Sequence, residues 1–285
     1  MKVEDAASWP VLRDADAAGR MTALARVRRL FLRGLGLGLP PLAGLGLLIL
    51  LWAQLAAYKI IPAFLLPAPA AIAHEFRTNG AMLLRHAGYT SVEALAGFAA
   101  GTLAAVVTAF LFAYIRPVRD CLYPLALVSR TVPFVAVTPL LVIVFGFGAT
   151  PIIVLVSIAV FFPTLLNMVA GLMSAEVDYR ELLYTLSASP AQRMRMVELP
   201  AALPFLFAAM KVGASAAFIV AVISEWIAAR AGLGYLVQVS SFQFRLPTMW
   251  AAILLAAVLT LLLLGAVTAA EAWFMRWRRT GMDDR

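Results

Sequence analysis

The sequence predicts an all-α membrane protein of about six transmembrane helices, with both termini on the cytoplasmic side (N-in/C-in). Three observations carry that expectation. Of 285 residues, 63% are apolar and 13% are charged, with a mean hydropathy of +0.92, whereas a soluble domain has roughly 45–50% apolar and 25% charged residues. Uncharged stretches recur at about the 20 residues needed to cross a hydrocarbon core. Lys and Arg gather in alternate loops. The net charge of +8, from 23 basic against 15 acidic residues, would suggest nucleic acid in a soluble protein. Here the basic residues flank apolar spans, so the expected partner is the lipid bilayer and no nucleic acid is expected.

The spans follow in order. Gly34–Tyr58 is the first, and Ala94–Ile115 the second. Thr131–Ala175 is uncharged throughout, too long for one crossing and long enough for two. Its break is expected at Gly146-Phe147-Gly148-Ala149-Thr150-Pro151, a cluster of turn formers. The fifth span, Leu203–Ala229, contains Lys211 and Glu225, and the sixth is Leu246–Ala270. Gly97 and Gly101, in the second span, have the spacing that lets helices approach closely in lipid. Trp250, Trp273 and Trp277 fall near the ends of the sixth, as interface anchors do.

Loop charge sets the orientation, because Lys and Arg resist translocation while acidic residues matter little. The N-terminal segment, the second and fourth loops and the tail carry 16 Lys/Arg, against five on the opposite surface: Lys59, Arg77, Arg85, Arg230 and Arg245. Residues 1–33 are thus a cytoplasmic basic segment, 34–275 the membrane domain with a loop at 176–200, and 276–285 a cytoplasmic tail. The first 33 residues are long, mixed in charge and without a small-residue cleavage site, so they are not expected to be a signal peptide. Within them Leu24–Phe31 interleaves basic and apolar residues, which fits either an interfacial helix on an anionic leaflet or a disordered basic tail.

Little in the chain points to catalysis. The sequence has no Gly-x-x-x-x-Gly-Lys-Ser/Thr phosphate cradle and no carboxylate cluster with ligand spacing in the spans. The single Cys121 is expected to be a packed thiol, and the two histidines, His74 and His86, to be surface residues of the first outer loop. No catalytic residue, cofactor or metal is expected.

The loop between the fourth and fifth spans is the informative one. It runs from Glu181 through Ser187, Ala188, Ser189 and Pro190 to Val197, Leu199 and Pro200. It resembles the cytoplasmic signature of bacterial ABC importer permeases: Glu-Ala-Ala, three residues, Gly, nine residues, Ile-x-Leu-Pro. Glu181 stands at the acidic position, Ser187 at the glycine, Val197 at the isoleucine, and Leu199-Pro200 closes the pattern. Leu182 and Leu183 replace the alanine pair. Glycine would permit a left-handed turn that Ser187 adopts only at a cost. Residues 177–187 can form a short helix that Ala188-Ser189-Pro190 breaks, and Pro200 can start the fifth span. In the family this segment is a coupling helix that docks into a cleft on the ATPase.

The resemblance extends over residues 42–275 and narrows to a subgroup. Leu66-Pro67-Ala68-Pro69, Pro133–Leu140 running to Phe145-Gly146-Phe147-Gly148, Ser224-Glu225-Trp226 and Gly232-Leu233-Gly234-Tyr235-Leu236 look like permeases for nitrate, taurine and aliphatic sulfonates. Near relatives there carry thiamine-pyrimidine precursors or riboflavin. The Pro-Phe…Phe-Gly-Phe-Gly stretch argues against osmoprotectant or amino-acid permeases. The resemblance implies the ABC importer permease fold and a pathway for a small solute. It also implies ATP-binding cassette ATPase subunits, an extracytoplasmic solute-binding protein, and a second permease copy forming a homodimer. A self-sufficient secondary transporter would need inverted repeats with paired intramembrane charges, which the sequence does not display, and a non-transporting scaffold would not account for the loop.

Polar residues and prolines within the spans mark a candidate pathway: Thr131, Pro133, Phe134, Thr138, Pro139, Asn167, Lys211 and Glu225. Pro133, Pro139 and Pro163 each remove a helix hydrogen bond. Irregular backbone of that kind either lines a watery cavity or kinks a helix for packing. Lys211 either snorkels or attracts an anion. A carboxylate in a span costs about 2.5–3.5 kcal/mol, so Glu225 must face protein or water. It either lines the path or contacts Arg230 or another cation, and the contact is preferred because an acidic wall would repel an anionic solute.

Overall fold

The computed structural model describes residues 43–44, 46–58, 62, 65–129 and 133–276, apart from the side chains of Arg116, Phe134, Val135 and Arg180. The basic segment 1–33, Arg130, Thr131, and the tail beyond Arg276 lie outside the described residues. The chain divides after Pro69 into two compact units. In the first, α1 (Gly46–Ala57) is a short apolar helix, and Trp52 Nε1 donates to the Pro67 carbonyl at 3.1 Å.

The described residues of the second unit form helices joined by short turns, with no strand among them. Its elements are α2 (Pro69–Tyr114), α3 (Arg116–Val128), a 3₁₀ turn (Phe134–Val137), α4 (Thr138–Phe145), α5 (Ala149–Met173), α6 (Val177–Thr185), α7 (Pro190–Arg193), α8 (Leu199–Ala228), α9 (Leu233–Phe242) and α10 (Leu246–Phe274). A π-helical stretch, Met194–Glu198, joins α7 to α8. Among the described residues, four helices are long and apolar enough to cross a membrane: α2, α5, the run Pro190–Ala228 and α10.

Three expectations are corrected here. The first outer loop is not a loop: α2 runs for 46 residues as two helical stretches that meet at a kink at Asn79. The charges at His74, Glu75, Arg77, Arg85 and Glu93 interrupt hydropathy but not helix, since Ala, Leu, Met, Glu and Arg all favour helical backbone. The third span is not one continuous helix: α4 has eight residues, about 12 Å of helix against a hydrocarbon core of about 30 Å. Cys121 is exposed rather than packed.

Helix packing explains the glycines. In lipid no hydrophobic force draws helices together, so close backbone approach between small residues must do so. A Cβ on Gly97 would fall 2.5 Å from Val156 Cβ, and one on Gly101 would fall 2.4 Å from the Ser157 carbonyl oxygen. The spacing therefore seats α2 on α5. Two buried clusters lie along these helices. One gathers Ala94, Phe98, Ile152, Val156, Phe207 and Phe218; the other gathers Ala105, Phe112, Leu165, Met168, Met194 and Ala202. Gly101→Ala is expected to destabilise by about 1–3 kcal/mol through overpacking. Gly80→Ala, on the same helix with nothing within 4 Å of the new Cβ, is expected to be neutral or to stabilise by up to about 1 kcal/mol. Thermal denaturation of the two detergent-solubilised variants checks the opposite signs.

Candidate functional site

Two arrangements stand out, one at each end of the helices. At the end near the second cluster, α6 closes on a Schellman turn. The Ala188 N–H donates to the Leu183 carbonyl at 2.9 Å and the Ser187 N–H to the Tyr184 carbonyl at 3.0 Å. That motif requires a left-handed residue after the helix, and Ser187 supplies it at φ 56°. The strain foreseen for serine at this position is therefore present, at about 1–2 kcal/mol.

The chain then restarts immediately. Ser189 caps α7 in a capping box: the Gln192 N–H donates to Ser189 Oγ at 3.3 Å, and the Ser189 N–H donates to Gln192 Oε1 at 2.7 Å. Pro190 occupies the first turn, where its missing N–H costs nothing. Arg193 lies 5.9 Å from the Tyr184 ring centroid, bridging the two arms through a cation–π contact. Met194 anchors the elbow in the second cluster, and Leu199-Pro200 opens α8. The elbow's α6 arm exposes large apolar and aromatic side chains: Val177 63%, Tyr179 55%, Leu182 54%, Tyr184 73% and Leu186 68%. Glu181 is also exposed, and Val197 is half-buried.

At the opposite end, three segments singled out in the sequence converge. The first four N–H groups of a helix have no partner within it. In α9 side chains from two other helices meet all of them. The Gly232 N–H points to His86 Nδ1 at 3.0 Å, and the Leu233 N–H donates to Thr90 Oγ1 at 2.7 Å. The Gly234 and Tyr235 N–H groups donate to Glu225 Oε2 at 2.5 and 3.3 Å. Thr90 in turn donates to Glu225 Oε1 at 2.6 Å. His86 Nδ1 is also 3.0 Å from the Gly232 carbonyl oxygen. A ring with its hydrogen on Nε2 accepts from the N–H, and one with it on Nδ1 donates to the carbonyl; either tautomer keeps the contact.

The carboxylate of Glu225 also sits at the positive end of the α9 dipole. The glycines here are demanded by the site. Gly232 has φ 118°, and a Cβ on it would fall within 2.6 Å of both Glu225 carboxylate oxygens. One on Gly234 would fall 2.0 Å from the Val222 carbonyl oxygen. The Phe145–Gly148 loop joins the same cluster, because the Gly148 N–H donates to the Ala228 carbonyl at 2.9 Å and Arg230 lies 5.8 Å from the Phe147 ring centroid.

Glu225 thus makes a structural contact, but not with Arg230: its partners are backbone N–H groups and a threonine. His86, expected at the surface, is half-buried in the same cluster. A buried carboxylate followed within ten residues by Gly-Leu-Gly-Tyr was the available signal, since a glycine turn opening a helix offers the donors that a carboxylate needs. Lys211 of α8 forms an ion pair with Glu271 of α10. The other candidate pathway residues are dispersed. Pro133 and Pro139 are exposed, and Thr138 is buried with its hydroxyl unpartnered. Asn167 Nδ2 donates to the Pro163 carbonyl of its own helix at 2.8 Å. The Phe134 side chain and Thr131 are outside the described residues. Among the described residues, no hydrogen bond or ion pair joins any two of these eight.

A family model for the binding-protein-dependent transport system inner membrane component matches residues 97–277. The chain is 33% identical to the riboflavin transport system permease protein RibX of Chloroflexus aurantiacus, over 85% of this chain and 90% of the relative. It is 31% identical to a probable ABC transporter permease protein of Haemophilus influenzae, over 79% of this chain and 92% of the relative. It is 28% identical to the taurine transport system permease protein TauC of Escherichia coli, over 82% and 87%. Its fold is similar to a chain of the inward-facing MetNI methionine ABC transporter, with a TM-score of 0.55 at 19% identity, covering 67% of this chain and 94% of the other.

Proposed function

The chain belongs to the family of binding-protein-dependent transport system inner membrane components, and from that premise we propose that its α6–α7 elbow is the handle by which a separate ATPase drives it. It is a multi-pass protein of the bacterial inner membrane, an ABC importer permease of the sulfonate and taurine type. The observation that carries the proposal is the combination of a rigid, capped elbow with an exposed row of aromatic and apolar side chains. Water does not favour such a surface, whereas a protein cleft buries it at a gain of about 25 cal/mol per Å². A turn held by a Schellman motif and a capping box transmits force instead of absorbing it. Glu181, Ser187, Ala188, Ser189, Pro190, Val197, Leu199 and Pro200 are its proposed working residues.

In this reading two ATPase subunits bind from the cytoplasm and hydrolyse ATP. An extracytoplasmic binding protein delivers the solute, and a second copy of the chain completes the pathway. The solute is a small one of the nitrate, taurine or alkanesulfonate class. Riboflavin or a thiamine-pyrimidine precursor stands beside it, because the relatives include permeases named for riboflavin, formylaminopyrimidine and taurine transport.

Glu181→Ala and Pro190→Gly are expected to leave membrane insertion intact while weakening ATPase association and uptake by about tenfold, the equivalent of about 1.4 kcal/mol. Co-purification with the ATPase and solute uptake in vesicles measure this. Wild-type association and uptake in both variants would contradict the role.

A further inference from the structure

At the end of the helices away from the elbow, a cavity of about 520 Å³ opens beside the α9 cap. Its polar wall is made by Arg85, His86 and Tyr89 of α2, Arg230 of the α8–α9 connection, and Tyr235 of α9; the remaining lining residues, Ala81, Met82 and Ala231, are apolar. Among the described residues no carboxylate lines it. Neither arginine has an ion pair among the described residues, and the Arg230 guanidinium lies 5.8 Å from the Phe147 ring centroid. Glu225 of the α9 cap is already engaged, since its oxygens accept hydrogen bonds from Thr90, Gly234 and Tyr235; Glu93, which lines a neighbouring cavity with Arg85 and Tyr89, forms no ion pair with either arginine among the described residues. Arg85 and Arg230 are also two of only five Lys/Arg that the charge pattern assigns to the outer surface, where positive residues are otherwise scarce.

We propose that this cavity is an anion-binding station of the permease itself, taking a small organic oxoanion with its charged group between Arg85 and Arg230 and its body against Tyr89 and Tyr235. Guanidinium groups present paired N–H donors that match carboxylate, sulfonate or phosphate oxygens. Two from separate elements, converging without a counter-ion, form a field that attracts one anion. The volume lies within the range of small-molecule sites and exceeds what a single docking side chain fills. His86, held to Gly232 at 3.0 Å, ties the station to the α9 cap. Charge selection would then reside partly in this chain, and not solely in the delivering protein. The proposal rests on the importer reading for its meaning but not for its test.

The test is calorimetric titration of the full-length chain in phosphatidylcholine nanodiscs, without ATP or ATPase. Butanesulfonate is the probe, with butyramide and butyltrimethylammonium as neutral and cationic matches. Saturable binding of butanesulfonate alone is expected, weakened about tenfold by Arg85→Gln and by Arg230→Gln, as loss of one charge-assisted pair implies. Both arginines are exposed, so the fold survives their replacement, which unchanged size-exclusion elution verifies. Absence of saturable binding, or binding indifferent to both substitutions, overturns the proposal. Loss of butanesulfonate binding when phosphatidylglycerol replaces phosphatidylcholine assigns the site to an anionic lipid headgroup and also overturns it. Failure here leaves the elbow experiment untouched, and failure of the elbow experiment leaves this titration standing.

Discussion

Gly234→Ala is expected to prevent α9 from docking, and to remove about 3 kcal/mol or more of stability, the upper end of overpacking effects. The added Cβ would stand 2.0 Å from the Val222 carbonyl oxygen and 2.8 Å from the Val222 carbonyl carbon. Both are backbone atoms of α8, so no rotamer change relieves the clash; two helices must separate instead. Separation would withdraw the Gly234 and Tyr235 N–H groups from Glu225, leaving a buried carboxylate without its donors. Expression and monodispersity in detergent read the result. Wild-type thermal stability in this variant would show that α9 does not sit on α8 as described.

Glu225→Ala is the second large effect, expected at about 3–5 kcal/mol, as when one partner of a buried charged contact is deleted. Three donors lose their acceptor at once: Thr90 Oγ1 and the N–H groups of Gly234 and Tyr235. Each buried unsatisfied group costs about 1–3 kcal/mol. Glu225→Gln keeps an oxygen acceptor in place and is expected to retain the fold with a smaller loss, about 1–2 kcal/mol. The ordering wild type, Gln, Ala in thermal midpoint separates a capping role from a role of the charge alone. Equal losses in Gln and Ala would assign the effect to the charge.

The parts of this architecture legible in the sequence are those that lipid dictates. Residues 149–173, 203–228 and 246–270 are helical as expected, because long uncharged runs in a membrane satisfy their backbone only as helix. The second span was found only in its latter half. Hydropathy registers where lipid ends, whereas α2 continues as helix past Glu93 toward Pro69. The elbow was legible for a different reason: Ser187, Ser189 and Pro190 have strong local preferences, and the turn is built from sequence neighbours.

The α9 cap was not legible in the same way. His86 and Thr90 lie about 145 residues from the N–H groups they meet, and no periodicity relates them. Gly232 and Gly234 could be read as turn formers, but their need to clear the Glu225 carboxylate and the Val222 carbonyl appears only in three dimensions. The charge of Glu225 suggested a cationic partner such as Arg230, yet backbone dipoles supply the counter-field.

The ion pair between Lys211 and Glu271 has a consequence for biogenesis. Sixty residues of chain separate the two, so the ammonium enters the insertion machinery before its counter-ion has been translated. At about 5–20 residues per second, that interval lasts several seconds. During it the α8 segment must hold its lysine near an aqueous edge, and only arrival of the final helix lets both charges settle between apolar walls. A ribosome halted before residue 271 would therefore leave a nascent permease whose penultimate long helix is shallowly seated and open to quality-control proteolysis.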